Sequence, residues 1–437
     1  MKVIVLAAGR SKRLKPLSDK VLLSFLGKTL IEHQLNQLSE AGLADVIIVG
    51  GAHNIEVLRE LTNNLSNKII VTEQKDLDAD MAGAVLSTEK FLKHDPVLVI
   101  SANDVVDETA YGDIIRISKD TSLDGCLIGK KVTSYFPGGY LKVDEKGLLE
   151  SIIEKPGEGN EPSDVINLVV HYHADGTKLI ENLRQTKSDS DDLYETTIDK
   201  MIKAGAKIKV VPYEGPWHPI KYPWHVFDVA AYYFSKGKKY ISKNAHISDK
   251  AIIKGDVIIE DGVKVFENAI IRGPAYLGKN TVVANNALVR DSYVGEDCVV
   301  GFSTEIARSF LGNNVWTHAN YIGDSIIGNN CSFGSGAVTG NLRIDEKNIS
   351  VNISDNKIDS GRNKLGLIMG DNVRCGINTS FMPGIKIGNN CFIGAGIIVG
   401  QDIEDNMFVY GKVELIVKEN TAELDSNLRA QMKRALK

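Results

Sequence analysis

The 437 residues predict two domains of different fold class: a Rossmann-like α/β domain with a mostly parallel sheet, followed by a left-handed parallel β-helix. Before about position 237, apolar runs alternate with helical patterns. After that position, aliphatic residues recur about every six positions. The composition changes at the same point. Nine of the 11 prolines lie before it, and 22 of the 40 glycines lie after it.

The first predicted domain covers residues 1–237. Apolar runs predict strands at 3–8, 44–50, 68–73, 96–101 and 126–132. Helical patterns lie between them, for example from Thr29 to Ala41 and from Met81 to Leu92. Sheets of this type bind ligands beyond the carboxyl ends of their strands, so we expect a site in the loops that follow these runs.

The second predicted domain covers residues 238–412. Aliphatic-glycine pairs recur at nearly regular intervals, for example at 277–278, 294–295 and 311–312. A period of six with about 18 residues per coil predicts a triangular prism of about nine coils over 245–412. Gly-Asn-Asn at 312–314, 328–330 and 388–390 predicts sharp corners, because glycine and asparagine tolerate positive φ.

The remaining residues, 413–437, are predicted to be a tail with a capping helix that has Thr421 as its N-cap.

The composition excludes several classes of protein. With 43% hydrophobic and 24% charged residues, the chain as a whole is not disordered, collagenous or a coiled coil. A net charge of −5 predicts no nucleic-acid partner, and no apolar run approaches the ~20 residues of a membrane span. We therefore expect a cytoplasmic protein with no membrane partner. The cysteines have no CxxC spacing and predict reduced packing thiols; they are Cys126, Cys298, Cys331, Cys375 and Cys391.

A basic loop follows the first predicted strand. It contains Gly9 and a dense group of five positive charges that runs from Arg10 to Lys20. Backbone N–H groups in such a loop can bind phosphate, although a solvated basic loop has the same composition and a dinucleotide-binding GxGxxG is absent.

The residues of this loop resemble a known family. Leu6-Ala-Ala-Gly9, Arg13, Lys20-Val-Leu and Gly27-Lys28 are similar to the signature loop of sugar-1-phosphate nucleotidylyltransferases, with the Arg-to-Lys spacing of the bacterial uridylyltransferases. Asn103-Asp104, Glu154-Lys155-Pro156 and Asn167 extend the resemblance across the whole first domain.

The resemblance implies that a sugar phosphate attacks the α-phosphorus of a nucleoside triphosphate and that pyrophosphate leaves. Arg13 would neutralise the pyrophosphate, Lys20 would hold phosphate oxygens in the transition state, and Asp104 would hold Mg²⁺. The resemblance also implies substrate-binding roles for four residues: Gly9, Gln74, Glu154 and Asn167.

The first domain also departs from the family pattern. Ser11 and Lys12 replace a glycine and a threonine, Asp19 replaces a proline, and Asp80-Met81 replaces a Gly-Thr pair near the base. Pro219 stands where a second metal-binding carboxylate is common, and proline cannot bind a metal. Two alternatives follow: a working nucleotidylyltransferase, with UTP a guess among nucleotides, or a domain with lost or altered activity.

In the second domain, one coil reads His318-Ala-Asn-Tyr-Ile-Gly-Asp-Ser325, and the next carries Asn341-Leu-Arg343. These blocks resemble the acetyltransferase half of archaeal-type bifunctional glucosamine-1-phosphate acetyltransferase/uridylyltransferases. By that resemblance, His318 is the general base, which suits imidazole because it accepts a proton readily at neutral pH. Further roles are implied for four residues that would hold or orient the sugar phosphate: Arg290, Tyr321, Asn341 and Lys347.

Acetyl-CoA would lie in the groove between adjacent prisms of a homotrimer. Here too the pattern is incomplete, since Ala307, Ser332 and Ser350 replace an expected Lys, Asn and Lys, with Arg308 a candidate substitute for the first.

Three functional readings follow. The first is acetylation of glucosamine-1-phosphate, or of a related amino-sugar-1-phosphate, coupled to nucleotidyl transfer that yields UDP-GlcNAc. The second keeps only acetyl transfer, with the first domain as a scaffold or a regulatory binder of sugar phosphate. The third is a noncatalytic trimeric scaffold.

Overall fold

The fold is taken from a computed structural model, which describes residues 1–63, 65, 68–188, 192–412, 414–423 and 425–435. The amino-terminal part is a mixed nine-stranded sheet with helices, and the carboxy-terminal part is a parallel β-helix. Both fold classes predicted from the sequence are confirmed.

Thirteen strands are described in the amino-terminal part. They are β1 Lys2–Leu6, β2 Ser24–Phe25, β3 Lys28–Thr29, β4 Asp45–Gly50, β5 Lys68–Glu73, β6 Val97–Ser101, β7 Asp104–Val106, β8 Gly125–Lys131, β9 Gly139–Val143, β10 Leu149–Glu154, β11 Val165–His173, β12 Ile208–Pro212 and β13 Trp217–Pro219. The helices of the described chain are α1 Leu30–Glu40, α2 Ile55–Thr62, α3 Asp80–Leu86, α4 Glu108–Ile117, α5 Gly176–Gln185, α6 Leu193–Lys203, α7 His225–Lys236 and α8 Ser426–Ala435.

The centre of the main sheet is parallel. β6, β1, β4 and β5 are adjacent and run in the same direction, because helical segments connect them. β11 continues the sheet on the other side of β6 but runs antiparallel to it, and β8 pairs with β11 in the same antiparallel sense. The five predicted strands are therefore present, and the last of them joins the parallel centre only through β11.

The predicted helices differ in how well their ends were placed. The pattern from Thr29 to Ala41 forms α1, which starts one residue later than predicted because Thr29 caps it in a capping box with Glu32. The pattern from Met81 to Leu92 does not form one helix, since α3 ends at Leu86 and a separate 3-10 turn covers Glu89–Phe91. The hydroxyls of Ser87 and Thr88 donate to backbone carbonyls three residues earlier, a local bond that competes with helix continuation.

The β-helix has three faces of short parallel strands. The first face contains Tyr240–Ile241, Val257–Ile259, Ala275–Leu277, Tyr293–Val294, Phe310–Leu311, Ile326–Ile327, Ile368–Met369 and Lys386–Ile387. The second contains His246–Ile247, Lys264–Val265, Val282–Val283, Val299–Val300, Ser332–Phe333, Arg374–Cys375, Phe392–Ile393 and Phe408–Val409, and Trp316 bridges its two halves. The third contains Ile252–Lys254, Ile270–Arg272, Leu288–Arg290, Glu305–Ala307, Tyr321–Gly323, Val338–Thr339, Ser380–Phe381 and Ile398–Val399.

Asparagines form a hydrogen-bonded ladder along one corner of the prism. Asn314, Asn330, Asn372, Asn390 and Asn406 all have φ between 54° and 64°, the left-handed region that the Gly-Asn-Asn repeats predicted. The Nδ2 atom of each of the first four donates to Oδ1 of the next at 2.8 to 3.0 Å. The corner residues therefore set the turn and also satisfy each other's polar groups.

One coil of the prism is interrupted by an excursion that the repeat pattern did not predict. Between Val338–Thr339 and Ile368–Met369, the chain forms an antiparallel hairpin of Ser350–Ile353 and Asn356–Asp359. On the first face, Leu311 pairs with Ile327 of the next regular coil, whereas Ile327 pairs with the much more distant Met369 because the insertion lies between them.

Apolar side chains of both domains pack together in one cluster, in addition to the core of each domain. Tyr276, Tyr293 and Phe310 stack along the first prism face with centroids 4.7 and 4.6 Å apart, and Phe25 of β2 packs on Phe310 at 5.6 Å. The hairpin packs in the same cluster, and its neighbour Arg362 forms a 2.5 Å ion pair with Asp228 of α7. The inserted hairpin thus joins the β-helix to the last helix of the sheet domain.

The tail differs from its prediction. α8 begins at Ser426, and the residue that accepts a bond from its first turn is Asp425, whose Oδ1 binds the Asn427 N–H at 2.8 Å. Thr421 is therefore not the N-cap. Where the burial of tail side chains is described, they are exposed, as are Phe408 and Tyr410 of the last coil, so α8 does not cover the end of the prism in the single chain.

Two further findings concern the described residues. All five cysteines are free and buried. No helix in the described part of the chain is long and apolar enough to span a bilayer.

Two candidate active sites

The basic loop after β1 is shaped by residues that depart from the family pattern. Ser11 has a φ of 50°, a left-handed conformation that glycine adopts at lower cost. Its hydroxyl lies 3.2 Å from Oδ1 of Asp19 and accepts the Lys20 N–H at 3.3 Å. Asp19 also accepts a hydrogen bond from the Asn54 amide. Ser11 and Asp19 therefore tie the start of the loop to its end.

A cavity of about 280 Å³ opens at the carboxyl ends of the central strands, where the fold class predicted a site. The structure brings to it all seven residues of the first domain that the resemblance assigned: Gly9, Arg13, Lys20, Gln74, Asp104, Glu154 and Asn167. A second cavity of about 470 Å³ adjoins it over the basic loop and shares Arg13, Lys20 and Gln74.

Gln74 shapes the wall of the cavity next to the replaced Gly-Thr pair. Its Nε2 donates to the backbone carbonyls of Asp76 and Asp80, both at 2.8 Å. Asp80 itself has a φ of 41°, so the Gln74 amide holds a turn of uncommon backbone conformation.

The strand pairing leaves Asp104 without a carboxylate directly opposite it. β7 and β13 pair antiparallel, which places Pro219 directly opposite Asp104. The indole N–H of Trp217 donates to Asp104 Oδ1 at 3.2 Å, and no group of three or more His, Cys, Asp or Glu side chains in the described ranges could hold an ion. Burial raises the pKa of Asp104, whereas the Trp217 bond, Lys221 and Lys20 lower it.

Lys221 is a cavity residue that sequence reasoning missed. Its ammonium group donates to the Pro137 carbonyl and lies 3.5 Å from the centroid of the Phe136 ring. Burial, and secondarily Arg13, lowers the pKa of Lys221 to about 7, although Asp104 opposes the shift. The available signal was a lysine within an apolar segment two residues after the missing carboxylate.

A buried hydrogen-bond chain orients Asn167 at the other end of the cavity. His171 Nε2 lies 2.7 Å from Asn167 Oδ1, and its Nδ1 lies 3.1 Å from the Tyr194 hydroxyl, which is 2.9 Å from His173 Nε2. With neutral rings, only one assignment satisfies these contacts: His173 donates to Tyr194, Tyr194 to His171, and His171 to Asn167. Asn167 therefore presents its donor atom, Nδ2, on the side away from His171.

His171 and His173, the two histidines of this hydrogen-bond chain, are neutral because they are buried. Burial lowers the pKa of His171 to about 3 and that of His173 to about 4. Nearby, burial and then Glu154 raise the pKa of Glu195 to about 8, so this carboxyl is a donor at neutral pH. Glu195, on α6, is a second cavity residue that sequence reasoning did not single out.

The β-helix contains a second polar cluster. Asn341 Nδ2 donates to the Tyr321 hydroxyl at 3.1 Å and to Asp324 Oδ2 at 2.5 Å. Arg308 forms a bidentate pair with the same carboxylate, at 2.7 and 2.6 Å. Arg308, considered above as a substitute for a lysine at 307, is thus held by Asp324. The Tyr321 phenol also lies over Gly323, where an added Cβ would be 2.5 Å from its oxygen.

His318 is exposed at a corner of the prism, and the backbone around it is held by hydrogen bonds. Its N–H donates to Asn320 Oδ1 at 2.5 Å, while Nδ2 of the buried Asn320 donates to the carbonyls of Gly334 and Ala337. Ala319, between them, has a φ of 48°. Asn320 therefore anchors the His318 corner to the next coil.

The other two predicted residues of this site are placed differently. Arg290 is on the same prism face as Tyr321 but forms an ion pair with Glu305, with bonds of 2.9 and 2.7 Å. Lys347 lies exposed in the segment before the hairpin, and its backbone N–H is 3.4 Å from Asp345 Oδ1.

Comparisons with known proteins agree with this two-part architecture. Residues 2–218 match the nucleotidyl transferase family, residues 235–358 match the GMPPB C-terminal domain, and residues 366–401 match the hexapeptide repeat of succinyl-transferase. A solved UDP-glucose pyrophosphorylase complexed with UDP-glucose aligns with 54% of this chain and 99% of its own, at 18% identity and a TM-score of 0.47.

The similarity to two archaeal proteins extends over nearly the whole chain. The chain is 34% identical over 426 residues to the bifunctional protein GlmU of Methanocaldococcus jannaschii, and the alignment covers 96% of this chain and 100% of that protein. It is 32% identical over 416 residues to the bifunctional sugar-1-phosphate nucleotidylyltransferase/acetyltransferase of Sulfurisphaera tokodaii, covering 92% and 98%.

A nucleotidyltransferase domain joined to a hexapeptide-repeat β-helix defines a transferase with two separate sites. The chain belongs to the family of bifunctional GlmU-type sugar-1-phosphate nucleotidylyltransferases/acetyltransferases.

Proposed function

We propose that this protein acetylates glucosamine-1-phosphate, or a related amino-sugar-1-phosphate, with acetyl-CoA, and then joins the product to UMP from UTP. The products are UDP-GlcNAc and pyrophosphate. The observation that carries the proposal is the Tyr321–Asn341–Asp324–Arg308 cluster in a prism coil that also carries an exposed His318. The relatives named for both activities support it.

In the acetyl-transfer step, the sugar amine attacks the thioester carbonyl, an N–C bond forms, the C–S bond breaks, and coenzyme A leaves as the thiol. His318 removes the proton from the amine, and an exposed imidazole at a corner is accessible to both substrates. Asn341 orients the substrate or stabilises the tetrahedral oxyanion, and Tyr321 holds the sugar phosphate. Arg290 and Lys347 add positive charge for the phosphate.

In the nucleotidyl-transfer step, an oxygen of the sugar phosphate attacks the α-phosphorus, and pyrophosphate carries away the displaced bond pair. Arg13 neutralises the leaving group, and Lys20 holds phosphate oxygens as their charge develops. Mg²⁺, when bound with the nucleotide, would neutralise negative charge on its phosphates. Glu154 and Asn167, at the far end of the cavity, bind the sugar.

A homotrimer would complete the acetyl-transfer site. Exposed apolar side chains lie on successive coils of the prism, and neighbouring prisms would bury them while forming a groove for acetyl-CoA. These side chains include Phe302, Trp316, Ile377, Phe392, Ile398 and Phe408. Sedimentation equilibrium of the full chain tests this, and a monomer at micromolar concentration would contradict it. A cytoplasmic location stays a prediction.

Two assays with the purified full chain separate the functional readings. The first measures thiol release from acetyl-CoA with glucosamine-1-phosphate, and the second measures pyrophosphate release from UTP, dTTP, CTP or GTP with GlcNAc-1-phosphate or Glc-1-phosphate. Activity in both supports the proposal. Thiol release alone supports the acetyltransferase-only reading, which is favoured by Pro219 because it stands opposite Asp104 in place of a metal-binding carboxylate. Inactivity in both assays supports a scaffold.

A further inference from the structure

We propose that the ammonium group of Lys221 takes the place of a protein-bound divalent cation in the cavity that Lys221 and Asp104 both line. The first domain then binds the phosphates of its nucleotide with fixed amines and a guanidinium, and it has no metal site of its own. The nucleotide part of this inference rests on the proposed function, whereas the absence of a metal site can be tested without a substrate.

The strand pairing shows what has been replaced. Residues directly opposite in an antiparallel pair have Cβ atoms about 4.5–5.5 Å apart, so carboxylates at 104 and 219 could both reach one ion. Pro219 supplies no ligand. One oxygen of Asp104 already accepts the indole N–H of Trp217, and a single half-buried carboxylate is a weak site for Mg²⁺.

The position of Lys221 is built by its surroundings. Its ammonium group lies on the face of Phe136, whose ring packs edge-on against Trp217 at a centroid distance of 4.7 Å. Trp217 in turn donates to Asp104. A continuous set of contacts therefore holds both the amine and the carboxylate, and the Pro137 carbonyl accepts one of the three ammonium protons.

The charges of the cavity fit an anionic ligand without a second cation. Arg13, Lys20, Lys155 and Lys221 line it together, and its acidic lining residues are Asp80, Asp104, Glu154 and Glu195. A triphosphate brings about four negative charges, and the partly buried amines of Lys20 and Lys221 interact with phosphate more strongly than they would in open water. Lys221 thus supplies positive charge that an ion bound between residues 104 and 219 would otherwise bring.

The first experiment measures metal binding to the full-length protein without nucleotide, by titrating Mn²⁺ and recording the EPR signal of the free ion. We expect no site tighter than about 1 mM in the wild type. The double variant Pro219→Asp/Lys221→Gly should gain one site per chain, and adding Asp104→Asn should remove it. A stoichiometric Mn²⁺ site in the wild type that Asp104→Asn abolishes would overturn the proposal.

The second experiment measures UTP binding by calorimetry in EDTA. The wild type should bind, and Lys221→Met should bind at least about tenfold more weakly, with no recovery when Mg²⁺ is added. Lys130→Met is a matched control, since Lys130 also donates to a carbonyl, that of Gly215, and lies 5.2 Å from the ring of Tyr213, but does not line the cavity. Its affinity for UTP should not change.

The outcomes of the two experiments are distinct. If Lys221→Met binds UTP in EDTA as well as the wild type, the role assigned to Lys221 is wrong. If UTP binds to none of the proteins with or without Mg²⁺, the proposed nucleotidyl transfer from UTP is wrong, and the Mn²⁺ titration still decides whether the domain holds a metal.

Discussion

Removing the Tyr194 hydroxyl should destabilise the first domain strongly, although the change deletes a single atom. In Tyr194→Phe, His171 Nδ1 loses its donor and His173 Nε2 loses its acceptor, and both rings are buried. An unsatisfied buried polar atom costs about 1–3 kcal/mol, and two are created here, so we expect the free energy of unfolding to fall by about 2–6 kcal/mol. His173 Nδ1 already has no partner, so His173 would then make no hydrogen bond through its ring.

The assay is urea unfolding followed by circular dichroism at one protein concentration, and the control is Tyr276→Phe. Tyr276 is fully buried like Tyr194, but its hydroxyl has no hydrogen-bond partner in the described structure. Removing that hydroxyl should leave stability unchanged or raise it slightly. Since the hydrogen-bond chain through Tyr194 also orients Asn167, Tyr194→Phe should raise the KM for the sugar phosphate more than it lowers kcat.

A loss of less than about 0.5 kcal/mol in Tyr194→Phe, or an equal loss in Tyr276→Phe, would refute the hydrogen-bond chain as the source of stability. A normal KM in a destabilised variant would refute only the orientation of Asn167.

Three further predictions concern other parts of the molecule. His318→Ala should abolish thiol release without changing the oligomeric state, and activity within a few-fold of wild type would exclude it as the general base. Between pH 6.5 and about 4, His173 binds a proton in the unfolded state but not in the folded state, because its pKa is lowered in the folded protein, so acid destabilises the wild type. In urea titrations, the stability of His173→Phe relative to the wild type should therefore rise by about 1.4 kcal/mol per unit of falling pH. A stability difference that does not change with pH would contradict the lowered pKa of His173. Ser11→Ala and Asp19→Ala should show a coupling of about 1 kcal/mol in a double-mutant cycle of unfolding, whereas additive losses would mean that the two residues act independently.

Local patterns predicted the elements of this protein well. The runs 44–50 and 68–73 became β4 and β5 within one residue of their bounds, and the continuous apolar run of β4 suits a strand that is covered on both faces. The corner asparagines adopt the positive φ that the Gly-Asn-Asn repeats indicated. The capping box of α1 is equally local, since Thr29 and Glu32 bond across three residues.

The predictions that were wrong or missing depend on contacts between distant residues or on local competition. The hairpin of Ser350–Ile353 and Asn356–Asp359 was missed because Val351, Ile353 and the neighbouring Ile349 belong to the apolar cluster that contains α7 and the stacked rings of the first prism face, which no six-residue period encodes. Thr421 was a plausible cap by composition, but Asp425 holds that role.

The sequence by itself determined the two fold classes and the residues that resemble a transferase family, because periodicity and short motifs are local properties of a chain. Only the tertiary structure decided how those residues combine. It placed Pro219 opposite Asp104, brought Lys221 to the same cavity, and joined Ser11 to Asp19 and Arg308 to Asp324. These pairings join residues that are separated along the chain, and their charges and hydrogen bonds act only when the fold brings them within a few ångströms.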